Sequence, residues 1–240
     1  MALSVNQTLA LKAILKPNMR IASLGYPDLI APVEGMLTTE QIANLQYRAD
    51  SAAICQRHGL QRRDIPDAVS FFTLLGCELD VYDIVQERGC EILCDLNYPF
   101  ASKCVPYDIV LDVGTAEHCF NIGQALFNMA GLVKEGGYII HENPFNCGNH
   151  GFYSLNPTLF ADFYAANGFE LEQCFLTSRN GDKADAPRTQ RFKWEGPELN
   201  VFALARRVAI QPFGTFTYPT QTKYAKAAPA AGVDRATKEN

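Results

Sequence analysis

Across 240 residues the sequence has no apolar run of membrane length, no CxxC pair, no GxGxxG turn and no excess of basic residues. Each absence excludes something. A spanning helix needs about 20 consecutive apolar residues, and stretches such as Phe71–Leu75 fall far short. With 21 basic against 26 acidic residues the formal charge is −5. That gives no general attraction to phosphate backbones or anionic surfaces, so neither a nucleic acid nor a membrane is an expected partner. Without GxGxxG, the pyrophosphate of a nicotinamide dinucleotide lacks its usual turn. The eight cysteines are scattered, and Cys90, Cys94 and Cys104 do not form a paired zinc-ligand pattern. A chain of this length buries a core without cross-links. Reduced thiols, a cytoplasmic location and no bound metal are therefore expected. Met1–Arg20 lacks the basic start and uninterrupted apolar block of a secretory leader; it reads as a short amphipathic helix packed through Leu9, Ile14 and Leu15.

What is present is the alternation of a layered α/β domain: apolar strand-like runs separated by helical patterns. Strands are expected at Arg20–Leu24, Glu78–Tyr82, Glu91–Cys94, Tyr107–Asp112, Tyr138–His141, Phe169–Leu176 and Leu199–Arg206. The connection over residues 27–77 is too long for bare loop. Thr38 and Gln41 form a capping box, Ile42, Leu45 and Ala49 continue one helical face to Gly59, and a second helix runs from Pro66 to Leu75. Ile122, Ala125, Leu126, Met129, Leu132 and Val133 share a helical face, which Gly136 and Gly137 end. Asn156 and Pro157 begin the next helix, with Leu159, Phe160, Phe163 and Tyr164 buried and Asn167–Gly168 closing it. Residues 1–208 thus form one domain. The polar stretch 177–198 reads as a long hairpin loop, and residues 209–240 as a mobile extension.

In an open α/β sheet, ligands sit beyond the carboxyl ends of the strands at the switch in strand order. The turns there hold Gly25, Asp83, Asp95 and residues 112–118. Asp83 is placed for two ribose hydroxyls and Asp95 for an adenine amino group. Singly, each acid reads as a solvated loop residue; together they outline an adenosine-shaped cleft.

The block Tyr107–Asp112, then Gly114-Thr115-Ala116-Glu117-His118, then a long helix into Gly136-Gly137-Tyr138-Ile139-Ile140-His141 resembles the corresponding region of class I S-adenosylmethionine-dependent methyltransferases. The resemblance spans residues 21–208. It implies a Rossmann-like, seven-stranded, mostly parallel sheet in the order 3-2-1-4-5-7-6, with an antiparallel last strand and helices on both faces. It also implies S-adenosyl-L-methionine as cofactor, held by Gly25, Asp28, Asp83, Asp95, Leu96, Gly114 and Glu117. One departure is clear: after the first strand the sequence is Gly25-Tyr26-Pro27-Asp28, with a single glycine, so Asp28 is expected to replace the family's acid from a shifted position.

Methyl transfer mainly requires positioning and exclusion of water, and a hydroxyl acceptor benefits from a general base. The candidate bases are His118, His141 and His150, and His150 is the expected one. His118 is a second candidate or shapes the cofactor pocket. His141, Asn146, Asn149 and Tyr153 offer polar and stacking groups to a small polar acceptor such as a sugar or glycan-pathway intermediate. The stretch Arg188, Arg191, Lys193, Trp194 either reaches over that acceptor or is a solvated loop balanced by Asp182, Asp185, Glu195 and Glu198. The competing expectation is a non-catalytic binding or scaffold protein on the same fold, its cofactor site decayed at the first turn.

Overall fold

A computed structural model describes residues 2–100, 106–210 and 215–227. Eight strands form one sheet in the order β3-β2-β1-β4-β5-β8-β6-β7. Strands β1 (Arg20–Leu24), β2 (Glu78–Asp83), β3 (Glu91–Leu93), β4 (Tyr107–Asp112) and β5 (Val133–Pro144) pair in parallel. Strand β8 (Asn200–Arg207) runs antiparallel between β5 and β6 (Phe169–Thr177). This is the implied order plus one strand: β7 (Lys183–Ala184), inside the stretch expected to be bare loop, pairs with Leu176 and Thr177.

Helices cover both faces. Helices α5 (Ile122–Leu132) and α6 (Pro157–Ala166) bury Leu126, Met129, Phe160 and Tyr164 against Ala22, Val110 and Ile139. On the other face α1 (Val5–Ile14) and α4 (Ala68–Leu74) set Leu11, Phe71 and Phe72 against Ile21, Ile109 and Ile140. Strand order reverses between β1 and β4, so a crevice opens above their carboxyl ends.

Several local expectations change. Leu9 is 54% exposed; α1 instead buries Ala10 and Leu11 beside the polar Asn6, Gln7 and Thr8. The single helix expected after Thr38 is two, α2 (Thr39–Ala43) and α3 (Ser51–Arg57). The capping box forms, but the chain breaks so that Arg48 N donates to Ile65 O and Tyr47 pairs with Pro66. Helix α4 begins at Ala68, capped by the Asp67 side chain rather than started by Pro66. Asn156 stands at the N-cap of α6 without a side-chain cap. Strand β5 already begins at Val133, with a register shift before Tyr138, so Gly136 and Gly137 lie within it. Part of the extension expected to be mobile packs down: Phe216 stacks on Phe127 at 5.3 Å, and Asn167 exchanges two hydrogen bonds with Thr217. Cys104 and residues 228–240 lie outside the described residues. Cys55, Cys77, Cys90, Cys119, Cys147 and Cys174 are free thiols, and no described helix is long and apolar enough to cross a membrane.

Candidate functional site

Gly25 and Gly114 turn the chain at the carboxyl ends of β1 and β4 with φ of 82° and 87°, a region where a side chain is strained. The turns are tied together, since Gly25 N donates to Tyr82 O at 2.7 Å and Thr115 Oγ1 to Leu24 O at 2.5 Å. Beside them Asp83 Oδ1 accepts from the N–H groups of Ile84 and Val85. Asp95 Oδ1 accepts from Asn97 N and Nδ2. The Oδ2 atoms of both acids carry no hydrogen bond among the described residues, so each half-buried carboxylate keeps one oxygen for a ligand. Leu96 is packed into the core, with its carbonyl bound by Asn128.

Asp28 is not where the sequence expectation put it. It is 2% exposed and surrounded by Arg48 (3.4 Å), His58 (3.0 Å) and Arg57 (3.6 Å). Despite the desolvation that opposes it, the His58 hydrogen bond and the charge of Arg57 hold its carboxyl below the usual range. Asp28 thus anchors the long connection and is not available to a ligand. Tyr26 is likewise buried, bonded to Asp67 and flanked by the Arg48 and Arg88 guanidiniums. The backbone of Ala2 and Leu3 crosses the same turns, donating to Val113 O at 3.2 Å and Asp28 O at 2.9 Å.

Behind β4 and β5 lies a buried acid network. Asp112 is fully buried, and its carboxylate accepts from His141 Nδ1 (2.8 Å), Asn143 Nδ2 (2.8 Å), Thr115 N (2.9 Å) and Ala116 N (3.2 Å). Burial alone would raise its pKa; the His141 hydrogen bond and charge bring it below the usual value instead. His141, expected to touch the acceptor, is also fully buried, and its Nε2 meets the Tyr164 hydroxyl. It is a core residue joining β4, β5 and α6.

Glu117, in the one-turn helix Ala116–His118, is the opposite case. Its Oε2 shares the Asn143 Nδ2 donor at 2.9 Å, while its buried Oε1 has no hydrogen-bond partner. Burial first, and the charge of Asp112 second, push its pKa up to about 7. Facing Oε1 are His150 Nε2 at 3.6 Å and His118 Nε2 at 3.9 Å, from two half-exposed rings 5.5 Å apart. Burial and the neighbouring His150 lower the pKa of His118. The sequence reading separated these three residues between cofactor and acceptor; the fold brings them into one cluster.

The loop after β5 delivers His150 because it is clamped to Glu117. Phe152 N and Tyr153 N donate to Glu117 O at 2.9 and 3.3 Å. A Cβ on Gly151 would lie 2.8 Å from that oxygen, so only glycine allows the approach. Asn149 precedes it, exposed and at φ 56°. Two of the expected acceptor contacts serve the scaffold instead. Asn146 bonds Pro197 O and Leu199 N with its two polar ends, and the Tyr153 hydroxyl donates to Phe120 O. Arg188 turns away to the carbonyls of Leu171 and Glu172, although Phe192 in the same stretch stacks on Phe145. A surface hollow of about 370 Å3 lies elsewhere, where α1 leads into β1, lined by Lys12, Leu15, Pro17, Met36 and Gln41, and contains none of these groups.

No family model matches the chain, and no curated protein matches its sequence. Solved structures with a similar chain path include TehB from Haemophilus influenzae, 13% identical over 84% of this chain and 62% of that one, TM-score 0.48. Another is the 1,6-didemethyltoxoflavin-N1-methyltransferase of Burkholderia thailandensis with bound 1,6-didemethyltoxoflavin and S-adenosylhomocysteine (15% identity, 83% and 76% coverage, TM-score 0.45). A third is the cyclase SpnF (11%, 85% and 81%, 0.42). The chain thus spans less than two thirds of the length of TehB. Fold alone does not fix chemistry, and what this chain does has to be read from its own site.

Proposed function

We propose that this chain is a cytoplasmic S-adenosylmethionine-dependent methyltransferase acting on a hydroxyl of a small polar acceptor such as a sugar. The observation that carries the reading is the pair of acids at adjacent parallel strand ends, Asp83 and Asp95, each with one oxygen left over beside the glycine turns after β1 and β4. Asp83 would hold the ribose hydroxyls and Asp95 the adenine amino group. The sulfonium supplies an electrophilic methyl group when the cofactor is bound. The nucleoside half of the site therefore fits. On the methionine side the contacts differ from those expected of Asp28, because that acid belongs to the connection and Ala2–Leu3 cross the turn.

The chain's remaining task is to take the acceptor's proton. His150, half exposed, with Nε2 turned toward Glu117, is the base. Glu117 behind it, with its pKa near 7, is matched to share that proton at neutral pH. The buried Glu117 Oε1, without a hydrogen-bond partner beside two histidines, costs stability, and a working site is one reason for a fold to keep such an atom.

Isothermal titration with S-adenosylhomocysteine tests the reading first. A single site per chain, accompanied by thermal stabilisation through mass action, is expected. Neither heat nor a melting shift at saturating concentration would refute it.

A further inference from the structure

We propose that Glu117, His118 and His150 form a binding site for one divalent transition-metal ion of the zinc type. One oxygen and two imidazole nitrogens from these residues lie within 4.8 Å of one another. Glu117 Oε1 stands 3.6 Å from His150 Nε2 and 3.9 Å from His118 Nε2. These separations are too long for hydrogen bonds. They are close to the distance between two ligands of one ion: with metal–ligand bonds of about 2.0–2.2 Å, a tetrahedral edge is about 3.4 Å. Closing the two carboxylate edges takes a few tenths of an ångström, and the edge between the imidazole nitrogens, within 4.8 Å, closes by rotation of the two half-exposed rings.

The second observation is Oε1 itself. The Glu117 side chain is 1% exposed, and this atom has no hydrogen-bond partner. Buried polar atoms normally find one, and an ion is among the accepted reasons for an exception. The supports behind the ligands also suit a metal. Asn143 Nδ2 fixes the other carboxylate oxygen, and Asn143 is itself held by Asp112, as ligating carboxylates usually are. Gly151 and the bonds from Phe152 and Tyr153 fix the loop that carries His150. Two histidines and one carboxylate on the exposed side of the crevice leave a coordination position open, the pattern of reactive rather than structural ions. The sequence expectation of no metal followed from the cysteines and from acids on separate strands, whereas these ligands come from a one-turn helix and a loop 32 positions onward.

An ion here would change His150 from proton acceptor to ligand and would polarise an acceptor hydroxyl in its place. That use rests on the methyltransferase reading; the binding does not. The test is therefore done without cofactor, on the full chain stripped by chelation. Zn2+ is titrated in competition with a chromophoric chelator, with Mg2+ as the oxygen-preferring control. One equivalent of Zn2+ and no competition by Mg2+ are expected. His118→Ala and His150→Ala should each weaken Zn2+ by more than ~10-fold, the scale that even outer partners of a ligand reach. Both rings are half exposed, and unchanged metal-free melting will confirm that the variants fold. The cysteine thiols are the competing ligands. Full Zn2+ binding by the His118→Ala/His150→Ala double variant assigns the ion to them and overturns the proposal, as does failure of the stripped wild type to bind one equivalent. A chain that binds Zn2+ but not S-adenosylhomocysteine keeps this site and loses the methyltransferase reading; the reverse result does the opposite.

Discussion

Replacing Glu117 by glutamine keeps the shape of the side chain and removes one charge from a place where the fold can barely hold it. The carboxyl is buried, receives one hydrogen bond from Asn143 and shares that donor with Asp112. Its pKa of about 7, against 4.5 for a solvated glutamate, means that the folded chain binds this proton more tightly than the unfolded chain does. The associated stability is fully present below pH 4.5 and is lost as pH rises through 7. A shift of this size corresponds to about 3 kcal/mol at alkaline pH, at 1.36 kcal/mol per pH unit. The amide carries no such dependence, and its oxygen can still accept from Asn143. Glu117→Gln should therefore match the metal-free wild type at pH 4.5 and exceed it at pH 8 by up to about 3 kcal/mol, roughly 6–12 °C in melting temperature for a domain of this size. Urea unfolding of chelator-treated protein at the two pH values measures the difference directly. A gap that is absent at pH 8, or equal at both, would refute the account of Glu117 as a carboxyl strained by burial.

Other substitutions separate binding from scaffolding at neighbouring acids. Asp83→Ala should leave melting almost unchanged and weaken S-adenosylhomocysteine by about 1.5–3 kcal/mol, the scale of a lost charged hydrogen bond; equal affinities in a titration would remove Asp83 from the site. Asp28→Ala should do the reverse in stability terms, costing about 1.5–3 kcal/mol because the buried Arg48 and His58 lose a charged hydrogen-bond partner, Arg48 keeping Asp50 at 2.7 Å. Its denaturation midpoint is the readout, and an unchanged midpoint contradicts the anchoring role. Gly151→Ala drives a Cβ to 2.8 Å from Glu117 O, so the loop must move and take His150 with it. Turnover of the acceptor should fall by about 10²-fold or more, as for loss of a general base, with S-adenosylhomocysteine affinity little changed. Normal turnover would mean that His150 is not the base.

The strands were legible wherever apolar residues recur between turn formers, and β1 and β4 lie where their patterns put them, at Arg20–Leu24 and Tyr107–Asp112. The connection between β1 and β2 was not, for a tertiary reason. A helical face through Ile42, Leu45 and Ala49 is real as a pattern, yet Arg48 is needed at Asp28, and a continuous helix would not release its backbone to bond Ile65. Helix α1 misleads in the same way. Its inward side is partly polar because Gln7 reaches Asp112 O and Asn6 reaches Thr177, so counting apolar residues selects Leu9, which faces solvent.

At the site, residue types were legible and allegiances were not. Asp28, His141 and Glu117 are all buried acids or histidines near the carboxyl ends of the strands, and only their partners tell them apart. Asp28 has Arg48, Arg57 and His58 around it and His141 has Asp112 and Tyr164, which makes both of them structural. Glu117 differs by one missing partner. The single sequence signal that could have found its cluster is the order His150-Gly151-aromatic-aromatic, since a glycine beside a histidine permits close approach to another backbone. Asn143 offers Nδ2 to both Asp112 and Glu117, and because Asp112 also holds His141 and two N–H groups, it keeps its charge. The cost of burying two acids side by side therefore falls on Glu117. A fold that needed only the Asp112–His141–Tyr164 connection would be more stable with an apolar residue at 117. That an acid stands there, turned toward two histidines at the mouth of the crevice, is the local inconsistency by which a working site is recognised.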